Sequence, residues 1–149
     1  MVHALLECWR VLGREGTLVD LRPLHADRPV ELLTNGSCFV PGHVVDITGE
    51  ADDAACVKAL DHVVRSGYFA PRRQESFEFA VYWDNIEEFS AYAEAKWLEK
   101  RRLAPEVLQQ ARRYLADTGD AYRIRIRYTM HLAVYRKLEP FDTGSPYLD

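Results

Sequence analysis

The sequence predicts an α/β protein with a mixed sheet and helices on the faces of that sheet. Apolar residues recur at helical spacing over residues 2–12, and a short apolar strand, 17–21, follows the break "GREG". Near the other end, "AYRIRIRYTMHLAVYRK" alternates between apolar and polar residues, as a long strand does. Helical and strand patterns lie between these two segments, so we expect helices to cover a sheet.

Strand and turn signals dominate the residues after the first helix. "TLVDL" is rich in apolar and β-branched residues, so we expect it to lie inside the sheet. Two apolar runs then flank Asn35-Gly36, the strongest short signal for a β-hairpin. A further strand, "HVVDI", follows Pro41-Gly42. Together these features predict an inserted hairpin over residues 30–47.

The middle of the chain predicts one helix and one strand. Acidic residues open the segment 52–66 and Gly67 follows it, as expected for a helix start and a helix end. "ESFEFAVYW" then alternates and predicts a strand over 75–83 with one packed face. That face would carry Phe77, Phe79, Val81 and Trp83.

The last third predicts two helices and the long strand. Asp84 and Glu87 form a capping pattern for a helix over 85–100, which ends on the basic run "EKRR". Ala104-Pro105 opens a second helix, which ends near 117–119. In the long strand, one face is apolar and the other is polar. The polar face would carry Arg123, Arg125, Arg127, Thr129 and His131.

Composition limits the classes of partner and compartment. The 149 residues fit a single domain, with residues 140–149 as a loosely docked tail. A net charge of −4 gives no field that attracts nucleic acid, and no apolar run approaches the ~20 residues of a membrane span. The three cysteines, Cys8, Cys38 and Cys56, are odd in number and widely separated, so we expect thiols and a cytoplasmic protein.

The segment "ALLECWRVLGREGTLVDLRP" resembles the helix and fifth strand of class I S-adenosylmethionine-dependent methyltransferases. In that family a phrase such as "RVLKPGG" leads into the strand, whereas here the turn is Gly13-Arg14-Glu15-Gly16. "FEFAVYW" and "RIRIRYTMHLAVYRK" are similar in position to strands six and seven of the family. The resemblance implies a partial Rossmann-like fold with the strand order five, seven, six.

The resemblance also implies what the chain lacks. The family binds its cofactor with a glycine-rich loop after strand one and an acidic residue at the end of strand two, and the sequence has neither, so we expect no bound cofactor. We therefore expect a methyltransferase-related domain without independent catalysis. A small-molecule-binding module remains an alternative, as does one half of a methyltransferase that a partner chain completes with the cofactor-binding half.

Four residues are candidates for a pocket. Asp20 and Arg22 end the 17–21 strand, and ligands of open α/β sheets bind outside the carboxyl ends of strands. An ion pair that holds the strand end to the loop near Asp27 and Arg28 is the structural alternative. Tyr82 and Trp83 could line a pocket with Tyr92 and Trp97, although aromatic residues at this spacing are more typical of a core.

The remaining charged and titratable residues show no catalytic or metal-binding pattern. The five histidines lack the spacing of metal ligands, and no nucleophile motif is present. The arginine stripe 123–127 could bind an anion, but we expect its arginines to meet carboxylates such as Glu87 and Glu88. A strand edge left open at 17–21 would invite association, so we expect a homodimer through the first helix and this strand.

Overall fold

The structure is a computed structural model and describes residues 1–97, 99–119 and 121–139. In this part of the chain the helices are α1 (Val2–Val11), α2 (Gly49–Arg65), α3 (Ile86–Lys96) and α4 (Pro105–Thr118). The strands are β1 (Thr17–Pro23), β2 (Arg28–Thr34), β3 (Ser37–Asp46), β4 (Phe69–Trp83), β5 (Arg101–Leu103) and β6 (Arg123–Lys137). None of the described helices has both the length and the apolar character of a membrane span. The predicted tail, 140–149, lies outside the described residues.

The strands form a sheet of order β1-β6-β2-β3-β5, and β4 also pairs with β6. The pairs β2–β3, β2–β6 and β3–β5 are antiparallel. Lys137 N donates to Gly16 O and Leu24 N donates to Thr129 O, so β1 also runs antiparallel to β6. The predicted α/β class is confirmed. The expected mixed sheet is replaced by antiparallel pairing, which the tight β2–β3 hairpin imposes on those two strands.

The inserted hairpin is confirmed, and its turn is Asn35-Gly36. Thr34 pairs with Ser37 across the turn, and Gly36 has a φ of 94°, which glycine adopts without strain. The two predicted strands 37–40 and 43–47 are one strand, β3. The β2–β3 register shifts between Val30 and Leu32, beside Pro41, because a proline cannot donate in the ladder and is tolerated at such an irregularity.

Two compact units divide the chain, and the predicted single domain stays a prediction. The first comprises Met1–Arg22, Ala54–Glu75 and the described residues from His131 onward. Its core contains Leu60, Val63, Phe69 and Ala133. Trp9 attaches α1 to this core, since its Nε1 donates to Leu138 O at 2.9 Å and its ring contacts Tyr68 edge-on at 5.3 Å.

Strand β1 is more exposed than the sequence indicates. It ends the strand order, and Val19 and Leu21 are 53% and 55% exposed. The expectation of a strand inside the sheet is therefore wrong. Leu18, Asp20 and Arg22 point to the other face and are half-buried. Because β1 lies at the edge of the described sheet, Val19 and Leu21 on one of its faces have a neighbouring strand on one side only.

The second unit comprises Pro23–Asp53 and Ser76–Met130 and holds the larger apolar core. Helices α3 and α4 contribute Ile86, Phe89, Ala93, Val107 and Ala111 to it, and β2, β3, β4 and β6 contribute most of the rest. A Cβ on Gly42 of β3 would lie 2.6 Å from Val107 Cγ2, so glycine permits the close approach of α4. Helix α4 ends at Gly119, which has a φ of 63°, as predicted.

Helix α3 differs from its prediction at both ends. Asn85 is the N-cap, since its side chain accepts a hydrogen bond from Glu88 N, so the predicted role of Asp84 is wrong. The helix ends at Lys96, and the basic run that was expected to end it enters β5. β5 pairs with β3, Asp46 with Arg101, which gives this short segment its extended conformation.

The long strands also depart from their predicted faces. β4 begins at Phe69, and Phe77 and Phe79 are 41% and 52% exposed, so only Val81 and Trp83 of the predicted face are covered. In β6 the predicted alternation is correct as far as Tyr128. His131, expected on the polar face, is buried. His131 belongs to the first unit. In that unit Ala133 is also buried, and Leu132, which lies between the two, is half-buried.

Candidate functional site

The predicted pocket residues fall into two separate pairs. Asp20 and Arg22 belong to the first unit, where Arg22 Nε lies 3.1 Å from Asp20 Oδ2 in a half-buried ion pair. Of the two loop residues in the structural alternative, Arg28 binds Asp46 and Asp27 accepts from Asp46 N. Burial raises the pKa of Tyr135, and the nearby Asp20 carboxylate raises that pKa further.

Tyr82 and Trp83 belong to the second unit and have different surroundings. Tyr82 is exposed, and the guanidinium carbon of Arg123 lies 4.9 Å from its ring centre. Trp83 is buried, with its ring 5.0 Å from that of Phe89 and 5.3 Å from that of Tyr92. Trp83 is therefore part of the core, and the pocket proposed from these four residues stays a prediction.

The arginine stripe of β6 binds carboxylates of neighbouring strands. Glu31, which is 3% exposed, accepts hydrogen bonds from Arg125 at 2.6 Å and from Arg127 at 2.7 Å. Arg123 lies 3.0 Å from Asp84. The expectation that these arginines meet carboxylates is confirmed. The choice of Glu87 and Glu88 as their partners is wrong, and those two residues lie in the first turn of α3.

The stripe is electrostatically satisfied. Burial would raise the pKa of Glu31, but the hydrogen bonds from Arg125 and Arg127 outweigh burial and lower that pKa. The same hydrogen bonds raise the pKa values of the two arginines. Because the charges compensate one another, the stripe is a poor candidate for binding a free anion.

A second charged network joins the loop before β2 to the end of β3. Arg28, almost fully buried, donates to Asp46 at 3.0 Å and to Leu24 O at 2.8 Å. Asp46 also accepts from Gly49 N, the first residue of α2. A cavity of about 180 Å³ lies beside Arg28, Asp27, Glu78 and Arg127. Two acidic and two basic residues line it, so it favours neither charge.

A larger cavity lies between α3, β5 and α4. Its volume is about 420 Å³, within the range of ligand pockets. The apolar lining consists of Ala93, Leu103, Pro105 and Leu108, and the polar lining consists of Ser90, Glu94, Trp97, Arg101 and Arg102. We call this space the α3–α4 cavity. All of its lining residues belong to the second unit.

Hydrogen-bond donors in the α3–α4 cavity lack partners. Trp97 is 3% exposed, and its Nε1 has no acceptor within the described part of the chain. No carboxylate of a described residue lies within ion-pair distance of Arg101 or Arg102. The guanidinium carbon of Arg101 lies over the Tyr128 ring, 5.6 Å from the ring centre. Glu94 accepts from the Ser90 hydroxyl at 3.3 Å. The cavity therefore offers more donors than acceptors.

The sequence marks Trp97 as one of four aromatic residues that could line a pocket, and it places Arg101 and Arg102 at a basic helix end. The signal that could have identified them is the proline at 105, since "KRRLAP" places two arginines just before a helix start. Within the described residues, no group of three or more His, Cys, Asp or Glu side chains is arranged to bind a metal ion, and none of the three cysteines forms a disulfide.

Comparison with known proteins gives no assignment. No protein-family model matches the sequence, and no curated protein matches it with significant similarity.

Proposed function

We propose that this chain is a methyltransferase-related domain that carries strands five to seven of the class I fold and has no independent catalytic activity. The observation that carries the proposal is the position of β6, which pairs with both β1 and β4. With β1 as strand five, β6 as strand seven and β4 as strand six, the order is five, seven, six.

The backbone hydrogen bonds support this assignment. Lys137 N donates to Gly16 O, just before β1, and Leu138 N donates to Tyr68 O, just before β4. Both contacts involve the same end of β6, and one stretch of strand has only two edges, so β1 and β4 flank β6 on opposite edges. Helix α1 precedes β1, as a helix precedes strand five in the family.

The proposal assigns the chain no cofactor site. The printed sequence has no glycine-rich loop between a strand and a helix, and such a loop supplies the backbone donors that would hold S-adenosylmethionine. The β2–β3 hairpin is an addition to the family pattern, since β2 pairs with β6 through Glu31, Leu32 and Leu33. None of the three cysteines, all of which are described, forms a disulfide, which suits a reducing compartment, and we propose a cytoplasmic location.

Thermal-shift titration with S-adenosylmethionine and S-adenosylhomocysteine tests this function. A ligand that binds only the native state stabilises it in proportion to RT ln(1 + [L]/Kd), so binding is read directly from the melting temperature. We expect no saturable shift for the chain alone. A saturable shift at sub-millimolar cofactor would contradict the proposal. A shift that appears only with a partner chain would support the half-enzyme alternative.

We also propose that the chain forms a homodimer through α1 and β1. Among the described strands none pairs with the outer edge of β1, where the side chains of Val19 and Leu21 are exposed. Val11 in α1 is exposed as well. Two-fold antiparallel pairing of β1 with a second copy would satisfy the backbone groups of that edge and cover the apolar side chains.

A further inference from the structure

We propose that the α3–α4 cavity binds a small molecule that carries a carboxylate on a flat apolar body. The site is independent of the methyltransferase proposal, since it uses no residue of β1, β4 or β6. It rests on three residues with hydrogen-bond donors that line one apolar space: Trp97, Arg101 and Arg102.

The indole N–H is the strongest indication of a ligand. A buried donor without an acceptor is costly, and the great majority of buried polar atoms in folded proteins have partners. Trp97 is held in place by edge-on ring contacts with Phe89 at 5.7 Å and Tyr92 at 6.1 Å. These contacts fix the ring, and Nε1 itself has almost no accessible surface, so an acceptor that enters the cavity reaches it only when a neighbouring side chain shifts.

The charges of the cavity select an anion. Arg101 and Arg102 line it, and guanidinium groups present paired N–H donors that match a carboxylate. Helix α4 begins at Pro105, also on the lining, and Ala104 provides no side-chain cap for its first N–H groups. Glu94 is the one acidic residue among the described lining residues, and it is exposed and accepts from the Ser90 hydroxyl. The positive groups therefore outnumber the negative group.

The walls of the cavity select the body of the ligand. Ala93, Leu103, Pro105 and Leu108 form an apolar lining, and the Trp97 ring adds a flat aromatic surface. A hydrated inorganic anion would leave these walls wet, whereas an aromatic ring would cover them and gain hydrophobic free energy. An aromatic carboxylate is thus the simplest ligand that uses both the donors and the walls.

Titration with 2-naphthoate tests the proposal. 2-Naphthamide, which has the same ring but no charge, and inorganic phosphate, which has charge but no apolar body, are the comparison ligands. We expect calorimetry to give one site for naphthoate with a dissociation constant of about 1 mM or tighter, as its number of non-hydrogen atoms allows. In proton–nitrogen NMR spectra, the Trp97 indole resonance should move on addition of naphthoate. The Trp9 indole, already bonded to Leu138 O, should not move.

Variants separate recognition from non-specific binding. Arg102→Gln should weaken naphthoate binding by about tenfold or more, since charge-assisted hydrogen bonds are lost at an exposed side chain that does not hold the fold. Arg112→Gln, an exposed position on α4 that does not line the cavity, is the matched control and should bind as the parent does. Leu108→Trp should fill the cavity and abolish binding.

Three outcomes would overturn the proposal. The first is equal affinity for naphthoate and naphthamide, which would mean that the donors do not read the charge. The second is binding of phosphate alone, which would mean that the apolar walls do not contribute. The third is an unmoved Trp97 resonance, or an equal response of Arg102→Gln and Arg112→Gln, which would place any binding elsewhere.

Discussion

Glu31 Oε2 accepts a hydrogen bond of 2.6 Å from Nε of Arg125, the residue directly opposite it in the β2–β6 ladder. Arg127 donates to the other oxygen, Oε1, at 2.7 Å. Both oxygens of a buried carboxylate are therefore satisfied by arginines of the neighbouring strand. This arrangement specifies register, since a shift of β2 by one residue would move Glu31 to the apolar face.

Glu31→Gln should lower the free energy of unfolding by about 2 kcal/mol, because a neutral amide has one acceptor oxygen and its NH2 group would face the N–H donor of the other arginine. Urea denaturation measures this loss. Glu78→Gln is the control: Glu78 meets Arg127 at 3.5 Å but is largely exposed, so its removal should cost less than about 0.5 kcal/mol. Equal losses of unfolding free energy in the two variants would show that the buried position of Glu31 adds nothing to stability.

The contribution of Glu31 should also depend on pH. Its pKa in the folded chain lies below the ordinary value of 4.5, so folding favours the ionised form. The stabilisation is complete above the ordinary pKa and is lost as the pH falls from that value through the lower folded pKa. The difference in unfolding free energy between the parent and Glu31→Gln should therefore be constant near neutral pH and shrink in acid. A difference that grows in acid would contradict the lowered pKa.

Asn85→Ala should destabilise the protein by about 1 kcal/mol, the usual cost of losing an N-cap side chain. Asn85 Oδ1 accepts from Glu88 N at 2.8 Å, and alanine cannot replace that acceptor. Asp84→Ala is the neighbouring control, since it removes only the exposed ion pair with Arg123. Thermal denaturation should rank Asn85→Ala below Asp84→Ala, and the reverse order would return the cap to Asp84.

The same two residues show where sequence reasoning succeeds and where it fails. Asp84 with Glu87 and Asn85 with Glu88 both fit a capping pattern, so the pattern locates the start of α3 without choosing between adjacent caps. Breaks such as Asn35-Gly36, Gly67 and Gly119 are local signals, and each marked a turn or a helix end correctly. Periodicity and breaks depend on neighbouring residues alone, which is why the long elements could be predicted.

Features that depend on distant contacts could not be predicted. β5 has three residues, too few for periodicity, and its strand conformation comes from pairing with β3. Alternation in β4 defined two faces but could not tell that Phe77 and Phe79 would be left exposed. For the same reason the sequence marks Trp97 as a possible pocket aromatic without placing it in a cavity. The cavity that gives it chemical meaning requires α3, β5 and α4 together.

Gly42→Ala should destabilise the protein by about 1–3 kcal/mol, because the new methyl group would lie 2.6 Å from Val107 Cγ2. Val107 is buried and β-branched, so its side chain has little freedom to move away. The double variant Gly42→Ala with Val107→Ala should be more stable than the sum of the two single losses predicts. Purely additive losses in denaturant titrations would show that this contact does not limit the approach of α4 to β3.

The proposed homodimer predicts that two adjacent prolines in β1 have different effects. Gly16 and Leu24 bond to β6, so in an antiparallel ladder the even-numbered residues of β1 point their backbone groups toward β6 and the odd-numbered residues point theirs to the open edge. Leu18→Pro should therefore disrupt β1–β6 pairing and unfold the first unit, whereas Val19→Pro removes a donor only from the open edge.

Light scattering at micromolar concentration should give twice the chain mass of 17.2 kDa for the parent and a folded monomer for Val19→Pro. Val45→Lys is the matched control, because it places a charge on an exposed apolar residue outside β1, and it should leave the dimer intact. Val40→Pro is unsuitable as a control because β3 is paired. Leu21→Lys should dissociate the dimer, because desolvating a lysine between two apolar surfaces is costly.

A monomeric parent would exclude the dimer and leave the β1 edge for a partner chain, such as one carrying the cofactor-binding half. A dimer that persists in both Val19→Pro and Leu21→Lys would place the interface away from β1.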